Sequence, residues 1–200
     1  MANDPTRSTG LNERRYSLAA IVMHWTIAAL ILTQIGLGWY MNEVLPDHTP
    51  AQAQIEGLHI SLGLLTLLFI LARIAIRLIH RPPPLPPEMA GWEKVLAQAS
   101  HATFYLLMLA LPLTGWMMVS GHPGPINFFG LGFPHMPGVA GLLAQGGKPL
   151  RHTLQWLHTY VFIWIILVTL ALHVAGALKH QFDGHPVLWR MIPGLKPRAS

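Results

Sequence analysis

The chain has 200 residues, 52% of them apolar and only 10% charged, against about 25% charged in an ordinary soluble domain. That balance excludes an ordinary water-soluble fold, and the net charge of +5 sits at the ends of apolar runs, which argues against nucleic-acid binding. The lack of cysteine excludes disulfides, iron–sulfur clusters, thiolate metal sites and the C-x-x-C-H attachment of c-type haem.

A helix needs about 20 apolar residues to cross a bilayer, and four runs qualify. Residues 1–15 are polar and carry Arg7, Arg14 and Arg15. The first span is predicted over residues 17–40; it is too long for a signal-peptide core and lacks a small-residue cleavage site. The connection 41–57 is acidic, with Glu43, Asp47 and Glu56 and no Lys or Arg. A second span follows over 58–79. The connection 81–92 contains Pro82, Pro83, Pro84, Pro86 and Pro87 and reads as a stiff spacer. The third span covers 99–119. The long connection 120–155 is rich in Gly and Pro and holds Phe128, Phe129 and Phe133. It is expected to form an ordered cap on the membrane surface. The fourth span covers 156–178. No repeat of solenoid length is visible. The expected fold is an all-α, four-helix transmembrane bundle forming one domain over residues 1–200.

Lys and Arg fix the expected orientation. Eleven (Arg7, Arg14, Arg15, Arg73, Arg77, Arg81, Lys94, Lys179, Arg190, Lys196 and Arg198) fall on the side of the termini, and two, Lys148 and Arg151, on the other. The positive-inside rule puts both termini in the cytoplasm.

Six histidines lie in or at the ends of the spans: His24, His59, His101, His158, His173 and His180. Ionisable groups at membrane depth are costly and usually functional. At 1.5 Å of rise per residue, His24 lies about 12 Å and His173 about 10 Å from the cytoplasmic helix ends, a shared level. His59 and His158 open their helices on the outer side and share another. The 15 residues from His158 to His173 rise roughly 22 Å, room for two stacked macrocycles. Bis-histidine haem, ligated from facing helices, explains the pattern. Gly36, Gly38, Gly57, Gly63, Gly115 and Gly176 either make room for the macrocycles or allow close helix packing.

Several stretches resemble the bacterial cytochrome b561 family, which is related to the cytochrome b subunits of nickel hydrogenases. They are IVMHW (21–25), GLHISLG (57–63), ARIAIRL (72–78), HATFYLLMLALPLTGWMM (101–118), LALHVAGALKHQF (170–182) and VLWRMIPG (187–194). The resemblance implies two haems b with His24, His59, His158 and His173 as iron ligands. In the family the two ligands of the last helix are usually 14 residues apart; here the spacing is 15. Either a π-bulge absorbs the extra residue, or His158 is displaced and His152 is a weak substitute. His101 and His180 are expected near the cytoplasmic surface, contacting either a quinone or a haem propionate. Arg73 and Arg77 are candidates for propionate contacts, with snorkelling the other reading of Arg77. Lys179 adds positive charge beside the quinone.

The resemblance implies electron transfer in the bacterial inner membrane to or from ubiquinone. One form is a superoxide oxidase, whose anionic substrate would be drawn by Lys148, Arg151, His122, His135 and His152, against an acidic first outer loop. The alternatives are a haem subunit fed by a partner dehydrogenase or hydrogenase, and a histidine-lined metal or proton transporter without haem. Co-purification separates the first alternative from a lone enzyme. A reduced-minus-oxidised spectrum separates the second.

Overall fold

The computed structural model describes residues 16–79, 85, 89–183 and 188–192. The arginines of the N-terminal tail, Arg81, the five-proline spacer, Lys196 and Arg198 lie outside the described residues, as do Val187, Pro193 and Gly194 of the last resembling stretch.

Helix α1, Leu18–Trp39, starts at Ser17, whose hydroxyl accepts the Ala20 N–H at 3.2 Å and so satisfies one of the orphan donors of the first turn. It continues through a π turn, Tyr40–Val44. Helix α2, Pro50–Ile79, begins with a proline, whose missing N–H costs nothing at that position. Helix α3 spans Gly91–Ser120. Both α2 and α3 therefore begin well before the predicted spans at 58 and 99. Hydropathy marks where the hydrocarbon begins, whereas a helix ends only where its backbone groups find other partners.

The connection 120–155 is ordered, as expected, but it is not all helix. Strands β1, Ile126–Phe128, and β2, Leu131–Phe133, pair antiparallel. Helix α4, Val139–Trp156, is broken at Gly147, whose φ of +57° suits glycine; Pro149 stands two residues on. A second π turn, Leu157–Val161, joins α4 to α5, Phe162–Phe182. A 3₁₀ turn, Leu188–Arg190, folds back onto α1, where the Trp25 indole N–H donates to the Met191 carbonyl at 2.7 Å.

Four helices are long and apolar enough to cross a membrane, and only 11–22% of their most apolar windows is buried inside the protein. The remaining apolar surface is far larger than a water-soluble monomer exposes, so this is a multi-pass membrane protein. Packing runs from α1 to α2, α2 to α3 and α3 to α5. Ile27, Ile70 and Met108 form the centre, with Met23, Phe69 and Phe104 against it. Lipid tails are as apolar as leucine, so close approach holds such helices together rather than escape from water. Gly63 is such a contact: a Cβ there would stand 2.8 Å from the Gln34 amide nitrogen. At the hairpin end, Val139, Leu143 and Leu154 of α4 pack on Met117 and Met118 of α3.

Candidate functional site

Helix α5 faces α1 and α2 through imidazole rings. At the end where the described chain begins, His24 of α1 meets His173 of α5 with ring centroids 6.4 Å apart. At the hairpin end, His59 of α2 meets His158 in the second π turn at 6.2 Å. An imidazole nitrogen binds a transition metal at about 2 Å with its ring centre about 1.1 Å behind, so two rings on opposite sides of one metal have centroids about 6.2 Å apart. Both pairs fit that separation. Among the described residues, no group of three or more His, Asp or Glu can hold a metal ion by itself. A pair of imidazoles suits a metal whose other ligands come from a macrocycle.

The π turn answers the spacing question. The Phe162 N–H donates to the Leu157 carbonyl, five residues back, so this turn takes up an extra residue without turning His158 away from the slot. His152 is exposed on α4.

The glycines divide by role. A Cβ on Gly36, Gly57 or Gly176 would meet nothing within 4 Å, so these three are not needed for helix contact. A Cβ on Gly115 would stand 3.3 Å from the His158 ring, and one on Gly38 3.6 Å from the His59 ring. Gly63 serves helix packing.

Polar contacts orient some of these groups. Thr114 Oγ1 lies 2.9 Å from His158 Nδ1. Gln34 Nε2 donates to the His59 carbonyl at 2.9 Å, while Gln34 Oε1 and His59 Nδ1 are buried without a hydrogen-bond partner. Arg73 donates to the Ala20 carbonyl at 3.2 Å, one turn before His24. Arg77 lies over the Tyr105 ring, 5.2 Å from its centroid, a cation–π contact. His101 meets His173 at 5.6 Å, and Phe104 meets it at 5.4 Å. His101 thus lies beside the ring pair. His180 lies about two turns beyond His173 on α5, within electrostatic range of Glu93. Lys179 is held by Glu93 at 2.8 Å and Asp183 at 2.6 Å, so its charge is shared with two carboxylates.

Of the expected basic outer group, Arg151 donates both terminal nitrogens to the Gly121 carbonyl at 3.3 Å. His122 and His135 are hydrogen-bonded to the Met118 and Gly124 carbonyls. Sequence reasoning passed over Thr114 and Gln34. Thr114 adjoins Gly115 within a stretch already singled out, and that adjacency was the available signal.

Residues 15–194 match the family described as prokaryotic cytochrome b561. The chain belongs to the prokaryotic cytochrome b561 family. It is 28% identical over 180 residues to cytochrome b561 homolog 2 of Escherichia coli (strain K12), covering 89% of this chain and 91% of that one. It is 28% identical over 183 residues to the probable superoxide oxidase CybB of Yersinia pestis, covering 90% and 97%. It is 24% identical over 188 residues to cytochrome b561 homolog 1 of Escherichia coli (strain K12), covering 91% and 99%. This member of the cytochrome b561 family is therefore a haem b-binding membrane protein of electron transport.

Proposed function

We propose that this cytochrome holds two haems b and carries electrons across the bacterial inner membrane between a donor at the outer face and ubiquinone near the cytoplasmic face. The observation that carries the reading is the pair of histidine couples at 6.4 and 6.2 Å. His24 and His173 ligate the inner haem, His59 and His158 the outer one. Both termini lie in the cytoplasm, on the Lys- and Arg-rich side. Bound haem supplies one-electron transfer. The protein supplies the ligands, keeps them in an apolar, water-poor slot and spaces them across the membrane.

The Arg73 guanidinium, with donors beyond its bond to Ala20, meets an inner-haem propionate. His101 and His180 flank the quinone on the cytoplasmic side, and a histidine there can hydrogen-bond a quinone oxygen and hand it a proton. The donor we favour is superoxide. In support stand the relative named as a probable superoxide oxidase and the outer Lys148 and Arg151, which attract an anion. Two-imidazole sites disfavour a bare-metal transporter, since structural metal sites take about four protein ligands.

A pyridine haemochrome assay on the purified protein tests the core of this reading. About two haems b per chain are expected from two ligand couples; one haem, or none, sinks it. The quinone side has its own check. His180→Ala is expected to keep both haems yet slow quinone reduction severalfold, with both haems staying reduced for longer. Normal quinone turnover in both His101→Ala and His180→Ala removes these residues from the site and leaves the haem ligation untouched.

A further inference from the structure

We propose that Thr114 is the positioning residue of the outer haem: its hydroxyl holds the ring of His158 and lowers that haem's reduction potential. The inference rests on the reading that His158 ligates the outer iron.

Thr114 Oγ1 lies 2.7 Å from the Ala110 carbonyl and 2.9 Å from that of Leu111. A hydroxyl has one proton, and those carbonyls, which only accept, take it. Toward His158 Nδ1, 2.9 Å away, Thr114 can then only accept. His158 must carry its proton on Nδ1, which leaves the Nε2 lone pair free for the metal. Gly115 presses on the same ring, since a Cβ there would be 3.3 Å away. The ring is thus held by a hydrogen bond and by backbone contact from two consecutive α3 residues.

His59, across the slot, has a buried Nδ1 with no partner. Among the described residues no side-chain hydrogen bond reaches the ring of His24 or His173 either; their neighbours are rings. Among the described residues, the outer haem therefore has one side-chain-bonded ligand and the inner haem none. A ligand imidazole that donates its other N–H becomes more basic. More electron density on the metal favours its oxidised form, so the outer haem gives up its electron inward more readily. The Leu111 carbonyl also faces the His158 ring, but Thr114→Val leaves it in place and isolates the hydroxyl.

The test is a redox titration of the purified protein, following the two haems by their visible spectra. Thr114→Val is expected to retain both haems and to shift one midpoint upward, leaving the other where it was. Thr114→Ser is expected to restore the native value. Thr66→Val is the matched control, a buried threonine whose hydroxyl bonds only its own helix at Leu62, and both midpoints are expected to stay put. Unmoved midpoints in Thr114→Val, or a shift of both, overturn the proposal. If Thr114→Val loses a haem, Thr114→Ser must keep it at the native potential; loss in both overturns the proposal too. His158→Ala separates the two levels of inference. If it keeps both haems, the ligand reading fails. If it loses one while Thr114→Val changes nothing, only the role of Thr114 fails.

Discussion

His24→Ala and His173→Ala are each expected to lose the same haem, halving the haem content and leaving identical residual spectra. The two rings face each other at 6.4 Å from α1 and α5. Removing either leaves the metal with a single imidazole in a slot where no bulk water replaces a ligand cheaply. The other couple lies roughly 22 Å away along α5, beyond the reach of such a change. The double variant is expected to match the singles, because the second substitution removes a ligand from a site already empty. His101 complicates one arm in a useful way. It sits 5.6 Å from His173, close enough to stand in for His24. A second haem that persists in His24→Ala and vanishes when His101→Ala is added signals substitution of the ligand. A second haem that persists in both backgrounds, or spectrally different residual haems in the two single variants, means the pairing is wrong.

Much of this fold is legible because the membrane simplifies the code. Runs of about 20 apolar residues have few alternatives to a spanning helix, and histidines stand out against them. Depth matching paired His24 with His173 from rise per residue and His59 with His158 from their places at outer helix ends, and in the structure those rings lie 6.4 and 6.2 Å apart. Helix ends were less legible. Hydropathy is blind to the polar turns at Pro50 and Gly91, where capping and interfacial water decide. The hairpin over Ile126–Phe133 was hidden because three-residue strands leave too short an alternation to read. Partners of a ligand were hidden for another reason. Thr114 reaches His158 across 44 positions of sequence, and its place beside Gly115 marks the stretch without naming the partner. Lys179 illustrates the same gap: its two carboxylate partners include Glu93, distant in sequence.

Two single-residue deletions on α5 are expected to differ sharply, although each removes one lipid-facing aromatic. Tyr160 is 56% exposed and lies inside the π turn; Trp164 is 65% exposed and lies in regular helix beyond it. At about 100° per residue, 15 regular steps from His158 to His173 end about 60° past a whole number of turns, whereas 14 end about 40° short of one. A π turn closes with one residue more than an α turn, so the present 15-residue path behaves as a regular path of 14. Deleting Tyr160 lets the turn close as ordinary α-helix and leaves both rings facing the slot. Deleting Trp164 keeps the π turn and shortens the regular helix, swinging His158 by about 100° and about 1.5 Å relative to His173. That rotation takes His158 away from His59 and from Thr114, and drags α4 with it. The Tyr160 deletion is expected to keep two haems per chain, and the Trp164 deletion to keep one, the inner. Haem-to-protein ratios of the two purified variants decide the matter. The reverse outcome, with haem lost from the Tyr160 deletion and kept by the Trp164 deletion, would mean that the π turn sets something other than the register of His158.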